Sequence, residues 1–253
     1  MDKQMTHTYE IMDLCLLAGK IMLQSGAETY RVEDTMMRIA QALGVKETHS
    51  YVTPTGIFFS AEGNEPMKTR LIRIIDRSTD LTKVTMVNSI SRQISSGEIS
   101  LDEAFIRLKE IEATDRSFSF FTKMLAAAVA SGCFLIMFSG GWSDFIPAVI
   151  SGGMGYFSVV YLHKVVPIKF FSEFSAAFVI GLIAFFLVKL GFGTELDKII
   201  IGSVMPLVPG LLLTNAVRDL MAGHLVSGLS KGAEALLTAF AIGSGIAVVL
   251  SFL

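Results

Sequence analysis

The chain has 253 residues and a formal charge of −2 built from 21 basic and 23 acidic side chains, so it offers no basic stripe for nucleic acid. Two cysteines, Cys15 and Cys133, provide neither a disulfide framework nor a zinc spacing. Thirty-one of the charged residues fall before residue 117, which divides the polypeptide into a polar head, residues 1–116, and an apolar remainder, residues 117–253, too sparsely charged for a soluble domain.

The chain opens on Asp2 and Lys3, and Asp13 and Lys20 bracket only six uncharged residues. That is too short for a secretory h-region, so the head is expected to stay in the cytoplasm. Residues 9–24 carry Ile11, Leu14, Cys15, Ala18, Ile21 and Met22 at helical spacing. Ser25-Gly26-Ala27-Glu28 fits a capping box for a second helix, whose apolar face is Val32, Met36, Ile39, Ala40 and Leu43 and which Gly44 stops. Val45–Thr53 and Gly56–Glu62 read as strands around a Pro54 turn, and Gly63-Asn64-Glu65-Pro66 as a turn before a third strand, Met67–Ile75. Helices follow at about Asp80–Ser96 and Ser100–Glu112, the latter opened by the box Ser100-Leu101-Asp102-Glu103. The order ααβββαα makes a small α+β domain. Glu28, Glu33 and Asp34 suit a helix start, where the dipole favours carboxylates. His7 and His49 have no partner at metal or triad spacing, and Cys15 reads as a core residue.

Five apolar stretches follow: Phe118–Ser139, Phe145–Leu162, Phe170–Val188, Ile199–Val217 and Ala235–Leu253. At about 1.5 Å per residue each covers roughly 27–33 Å, the thickness of a hydrocarbon core. The expected fold is therefore an α-helical membrane protein with five transmembrane helices behind a cytoplasmic α+β domain. Lys123 and Glu173, near stretch ends, are expected to reach the headgroups. Sixteen of the 22 glycines lie in this part and permit close helix approach, with Gly228 and Gly232 in GxxxG register. Arg107, Lys109, Arg116 and Lys123, then Lys164 and Lys169, then Arg218 and Lys231 flank alternate connections; only Lys189 and Lys198 run against the pattern. The positive-inside rule puts the head in the cytoplasm and the C-terminus outside.

Within the fourth stretch, Met205-Pro206-Leu207-Val208-Pro209-Gly210 carries two prolines that remove backbone donors near mid-depth. A helix broken there exposes main-chain dipoles, and the half-helix beginning at Pro209 would aim its N–H groups at an anionic solute. A kink needed only for packing is the alternative. Beyond it come Asn215, Arg218, Asp219 and His224, with Glu234 opening the fifth stretch. They read either as an interfacial cap with a local ion pair or as a polar vestibule in which Asp219, His224 or Glu234 handles protons. Gly228-Leu229-Ser230-Lys231-Gly232 matches a nucleophile elbow only as a string, set in a loop between membrane helices with no downstream histidine. Gly223 to Gly228 lacks the P-loop lysine. No cofactor, metal or catalytic residue is expected.

Gly26-Ala27-Glu28-Thr29-Tyr30-Arg31-Val32-Glu33-Asp34, Gly140-Gly141-Trp142, and Pro206-Leu207-Val208-Pro209-Gly210 with Asn215-Ala216-Val217-Arg218-Asp219, Gly223-His224 and Ser227-Gly228 resemble the motifs of the threonine/serine exporter family. Complete members carry about ten spans, so the chain is similar to the split, YjjP-like half. The resemblance implies a secondary exporter of the inner membrane that moves small carboxylates, threonine and serine or a dicarboxylate such as succinate. It implies as partner a second small membrane subunit, the YjjB-like half, in a hetero- or homo-oligomer. Substrate binding is expected at Pro206, Pro209, Gly210, Asn215, Arg218 and Asp219. A membrane-anchored sensor or scaffold with a ligand-binding head is the reading of another class, and a membrane enzyme a third.

Overall fold

The structure is a computed structural model that describes residues 2–45, 47–62, 67–114 and 117–252, with side chains from residue 8 onward. The expected Gly63–Pro66 turn, the side chain of His7, and Arg116 and Leu253 lie outside the described residues. Contacts divide the chain into two compact units, residues 1–115 with 213–232, and residues 116–212 with 233–253. Residues 213–232, which the sequence places in the apolar part, thus group with the head, because Asn215, Asp219, Ser227 and Lys231 find their polar partners there.

The first unit runs α1 (Asp2–Gln24), α2 (Thr29–Ala42), β1 (Glu47–Thr53), β2 (Gly56–Glu62), β3 (Lys68–Arg73), α3 (Leu81–Ser95) and α4 (Leu101–Ala113), the expected ααβββαα order. The strands form one antiparallel sheet, β1-β2-β3, with Val52 opposite Ile57 and Phe59 opposite Arg70. Alternation puts Ile57, Phe59 and Ala61 of the central strand inward, where they meet Leu14, Met22, Met36, Ile39, Val87 and Leu108 from the helices. The helices α1 and α2 pack so closely that a Cβ on Gly19 would collide with the Met36 side chain. The thiol of Cys15 is buried in this core and donates to the Met36 carbonyl at 3.4 Å, and burial pushes it well above the usual thiol range.

Two capping expectations are corrected. Ser25 and Glu28 form no capping box: Glu28 itself stands at the N-cap of α2 without a side-chain cap bond, since its carboxylate is turned to Arg218. At α4 only half of the box is made. The Ser100 hydroxyl accepts from the Glu103 amide at 3.3 Å, while the Glu103 carboxylate takes Arg107 at 2.6 Å instead of reaching back.

The second unit contains α5 (Phe120–Met137), α6 (Phe145–Val165), α7 (Lys169–Lys189) and α8 (Leu196–Val204). Two further helices, α9 (Gly210–Met221) and α10 (Leu225–Ser251), extend across the division between the units. Among the described residues four helices are long and apolar enough to cross a membrane: α5, α6 with the short turn before it, α7 and α10. The bent pair α8–α9 raises the number to five if counted as one span. Small residues set the spacing, as expected in lipid. A Cβ on Gly132 would come within 2.7 Å of Phe145, and one on Gly202 within 2.9 Å of Leu135. Asp144, fully buried, ties α6 to the start of α8 by accepting the Thr194 amide at 2.6 Å and the Glu195 amide at 3.2 Å.

Two further differences concern charge. The sequence places the last span from Ala235, but α10 starts ten residues earlier, so Gly228–Gly232 is helix and not a loop. A lysine at 231 hides this start from hydropathy, and its partner Asp219 neutralises it. Glu173, expected at the headgroups, is instead only 8% exposed within α7.

Candidate functional site

The Pro206 and Pro209 substitutions of an N–H by a ring break the fourth apolar stretch. The α8 helix ends at Val204, a 3₁₀ turn covers Met205–Leu207, and Val208 is extended with ψ 130°. Proline at 209 cannot serve the Met205 carbonyl, which the Val208 amide takes instead at 3.1 Å; Pro206 likewise removes the donor due to the Gly202 carbonyl. The Gly210 amide bonds the Val208 carbonyl at 2.8 Å as α9 begins. A Cβ added at Gly210 would meet nothing within 4 Å.

The second half of α9 and the first turns of α10 form a tight reversal. Gly223 takes φ +86°, a conformation open to glycine, and lets the His224 amide reach back to the Asp219 carbonyl at 2.9 Å. Asn215, Arg218 and Asp219 then share one face of α9, with Ser227 and Lys231 four apart on α10. These side chains converge on the segment that opens α2. Fully buried Asp219 accepts the Thr29 amide at 2.9 Å on one oxygen. Its other oxygen takes the Thr29 hydroxyl at 3.0 Å and the Lys231 ammonium at 2.7 Å. Lys231, 4% exposed, also donates to Thr29 Oγ1 at 3.2 Å. The carboxylate that caps α2 thus comes from a residue 190 positions away, and the positive end of that helix adds to the compensation Lys231 provides.

Around this pair the site is polar throughout. Asn215 Nδ2 donates to the Gly26 carbonyl at 2.9 Å, and Ser227 Oγ to the Val52 carbonyl at 3.0 Å. The Arg218 guanidinium meets Glu28 at 2.5 Å, with Arg31 at 3.4 Å on the other carboxylate oxygen. Burial pushes the Glu28 carboxyl up, but its own backbone amide, Arg218 and Arg31 outweigh burial and hold it below the ordinary range. Glu33 accepts the Val52 amide at 2.8 Å and lies 3.6 Å from His224 Nδ1. There burial prevails over the Val52 bond and His224, helped by the nearby Asp219 charge, and Glu33 is raised.

Of the residues expected at a site, Asn215, Arg218, Asp219 and His224 come together. Pro206, Pro209 and Gly210 sit at the helix break of the second unit, and Glu234 belongs to that unit too, bonded to Lys169 at 2.8 Å. The structure adds Gly26, Thr29 and Lys231 to Asn215, Arg218, Asp219 and His224. No periodic signal marks Lys231: with Ser230 beside it and Glu234 three residues on, it reads in the sequence as a loop charge. Among the described residues His49 pairs with exposed Glu47 at 3.3 Å, away from Asp219 and its partners. No group of three or more His, Cys, Asp or Glu able to hold a metal occurs among the described residues.

Comparison with known proteins identifies the family of the chain. The chain is 25% identical over 249 residues to the "Probable threonine/serine exporter" of Mycobacterium tuberculosis, covering 96% of this chain and 46% of that protein. It is 25% identical to the "Threonine/serine exporter" of Corynebacterium glutamicum, covering 93% of this chain and 50% of that protein. The chain therefore spans about half the length of these two relatives. It is 26% identical to the "Probable succinate transporter subunit YjjP" of Escherichia coli, covering 94% and 93% of the two chains. No solved structure matches. The family model described as "Putative threonine/serine exporter" matches residues 13–253, and the chain belongs to that threonine/serine exporter family.

Proposed function

We propose that the chain is one subunit of a secondary exporter that moves small carboxylate metabolites, threonine and serine or a dicarboxylate such as succinate, out of the cell. The observation that carries this reading is the broken helix at Met205–Pro209 in a chain that matches an exporter family almost throughout. A helix interrupted in an apolar stretch leaves main-chain dipoles with no intrahelical use, which is how many carriers build a binding site. The relative that matches this chain over 93% of its own length is named a transporter subunit, which supports a second small membrane subunit as partner.

In this reading Pro206, Pro209 and Gly210 shape the site, and the first turn of α9 faces the substrate carboxylate. Asn215, Arg218 and Asp219 form the polar continuation, which holds α9 against residues 26–29. Asp219, His224 and Glu234 are the groups available for proton handling. The head lies in the cytoplasm and the C-terminus outside, in keeping with the basic residues near alternate span ends. The test is export of radiolabelled threonine and succinate from cells that produce both subunits, with Pro209→Ala, Asn215→Ala and Asp219→Ala. Each is expected to lose most of its export. Wild-type rates in all three, at normal protein levels, would refute the site.

A further inference from the structure

Alternation that sends Ile57, Phe59 and Ala61 of β2 into the core sends Phe58, Ser60 and Glu62 to the other side of the sheet. The pairing register aligns this outer face in cross-strand rows. Tyr51, Phe58 and Leu71 make one row, and His49, Ser60 and Thr69 the next. Glu47 and Glu62 follow at one end, while Thr53, Gly56 and Arg73 close the other. Tyr51, Phe58 and Leu71 are large, apolar and about half exposed, with the Tyr51 and Phe58 rings 6.2 Å apart. Met67 just before β3 and Ile75 just after it are exposed as well. An apolar row that crosses every strand of a sheet and stays open to water marks a surface that docks something.

The charges at its two ends say what. Among the described residues, exposed Glu47 and Glu62 make one end acidic and exposed Arg73 makes the other basic. A face with an apolar middle and ends of opposite sign complements itself when turned end for end. Two in-plane two-fold axes would stack two such faces. An axis along the strands sets Glu62 on Glu62 of the second copy, a like-charge contact. An axis along the Tyr51–Phe58–Leu71 row lays that row on its own counterpart and brings Ile75 over Met67. It also turns Arg73 toward the acidic end of the second copy, within the reach of an arginine and a glutamate across faces about 10 Å apart. We propose that two copies of this chain pair through the outer face of the β1-β2-β3 sheet, about the axis of the Tyr51–Phe58–Leu71 row. The face is small, about 15 Å by 20 Å, so pairing depends on both copies being held in one membrane, where tethering raises their effective concentration. The pairing stands on the sheet and is independent of the exporter reading.

The test is thiol cross-linking of the full chain in the membranes of cells that produce it, with exposed Cys133 replaced by serine. In that background a short bis-maleimide is expected to join Phe58→Cys into a band of twice the chain's mass, because residue 58 lies on the axis and meets itself. Glu62→Cys is expected to give no such band, since its two copies would lie about 26 Å apart along the strands. Arg73→Glu should reduce the Phe58→Cys band severalfold, and Glu62→Arg added to it should restore the band, which damage to the fold would not do. Absence of the band from Phe58→Cys at normal protein level overturns the proposal; should that variant not accumulate, Leu71→Cys takes its place with the same outcomes. A band as strong from Glu62→Cys, or one unmoved by Arg73→Glu, overturns it equally. So does a product of any other mass, which would give the row to a different protein. A fluorophore on Phe58→Cys quenched by spin-labelled lipid would give it to the bilayer and overturn the pairing as well.

Discussion

Asp219 and Lys231 form a buried ion pair in which each charge is the other's main compensation. Removing one partner leaves a bare charge in a dry setting, a loss of about 3–5 kcal/mol, whereas removing both costs far less. Asp219→Asn and Lys231→Met are therefore each expected to destabilise the purified protein strongly, and the double variant to regain much of the loss. A double-mutant cycle on the unfolding midpoint measures this; additive losses would mean the pair does not act as one unit. Glu33 gives a pH prediction of definite sign. Its folded carboxyl titrates above the ordinary value, so the folded state holds that proton more tightly than the unfolded one. The resulting stabilisation is present at low pH and fades as pH rises through the raised folded value. Glu33→Gln can still accept the Val52 amide and should flatten this decline, read as the unfolding midpoint against pH. Glu112 has the opposite sign: Lys20 and then Lys109 hold it below the ordinary range despite some burial, so its contribution is lost as pH falls.

At the scale of elements, the spacing of α7 and α10 depends on glycine. A Cβ on Gly245 would run into the Phe174 backbone carbonyl and lie 3.1 Å from the Ala177 side chain, whereas one on Gly243, two residues earlier, would meet nothing within 4 Å. Gly245→Ala is expected to push the helices apart at about 1–3 kcal/mol, and Gly243→Ala to be neutral. Thermal stability in detergent compares the two, and equal effects would contradict the packing. The elements also show what the sequence could carry. Period-two and period-3.6 patterns made the ααβββαα order and the apolar spans legible, because burial writes them directly into residue choice. The proline break was legible because a missing N–H is a local fact. The partners of Glu28 and the early start of α10 were not. Glu28 reads as a local cap until Arg218 is brought to it from 190 residues away, and Lys231 reads as a loop charge until Asp219 covers it. Long-range pairing of buried charges leaves no periodic trace.

For the whole molecule, the grouping of residues 213–232 with the head means that the head is not a contiguous piece of chain. A fragment ending at residue 114 lacks Asp219, Asn215, Ser227 and Lys231, and with them the bonds to Gly26, Thr29 and Val52. Such a fragment is expected to unfold at lower denaturant than the same fragment carrying residues 213–232 on a flexible linker. Coincident transitions would show that the α9–α10 reversal adds nothing to it.

The bond between Thr29 and Asp219 also bears on how the protein is born. At synthesis rates of about 5–20 residues per second, the 190 residues separating them take the ribosome roughly ten to forty seconds. Throughout that interval the nascent α2 waits without its cap, while α5 to α8 emerge first. The head reaches its final state only after those helices have been made, so a ribosome stalled before residue 219 leaves behind a head without the Asp219 cap.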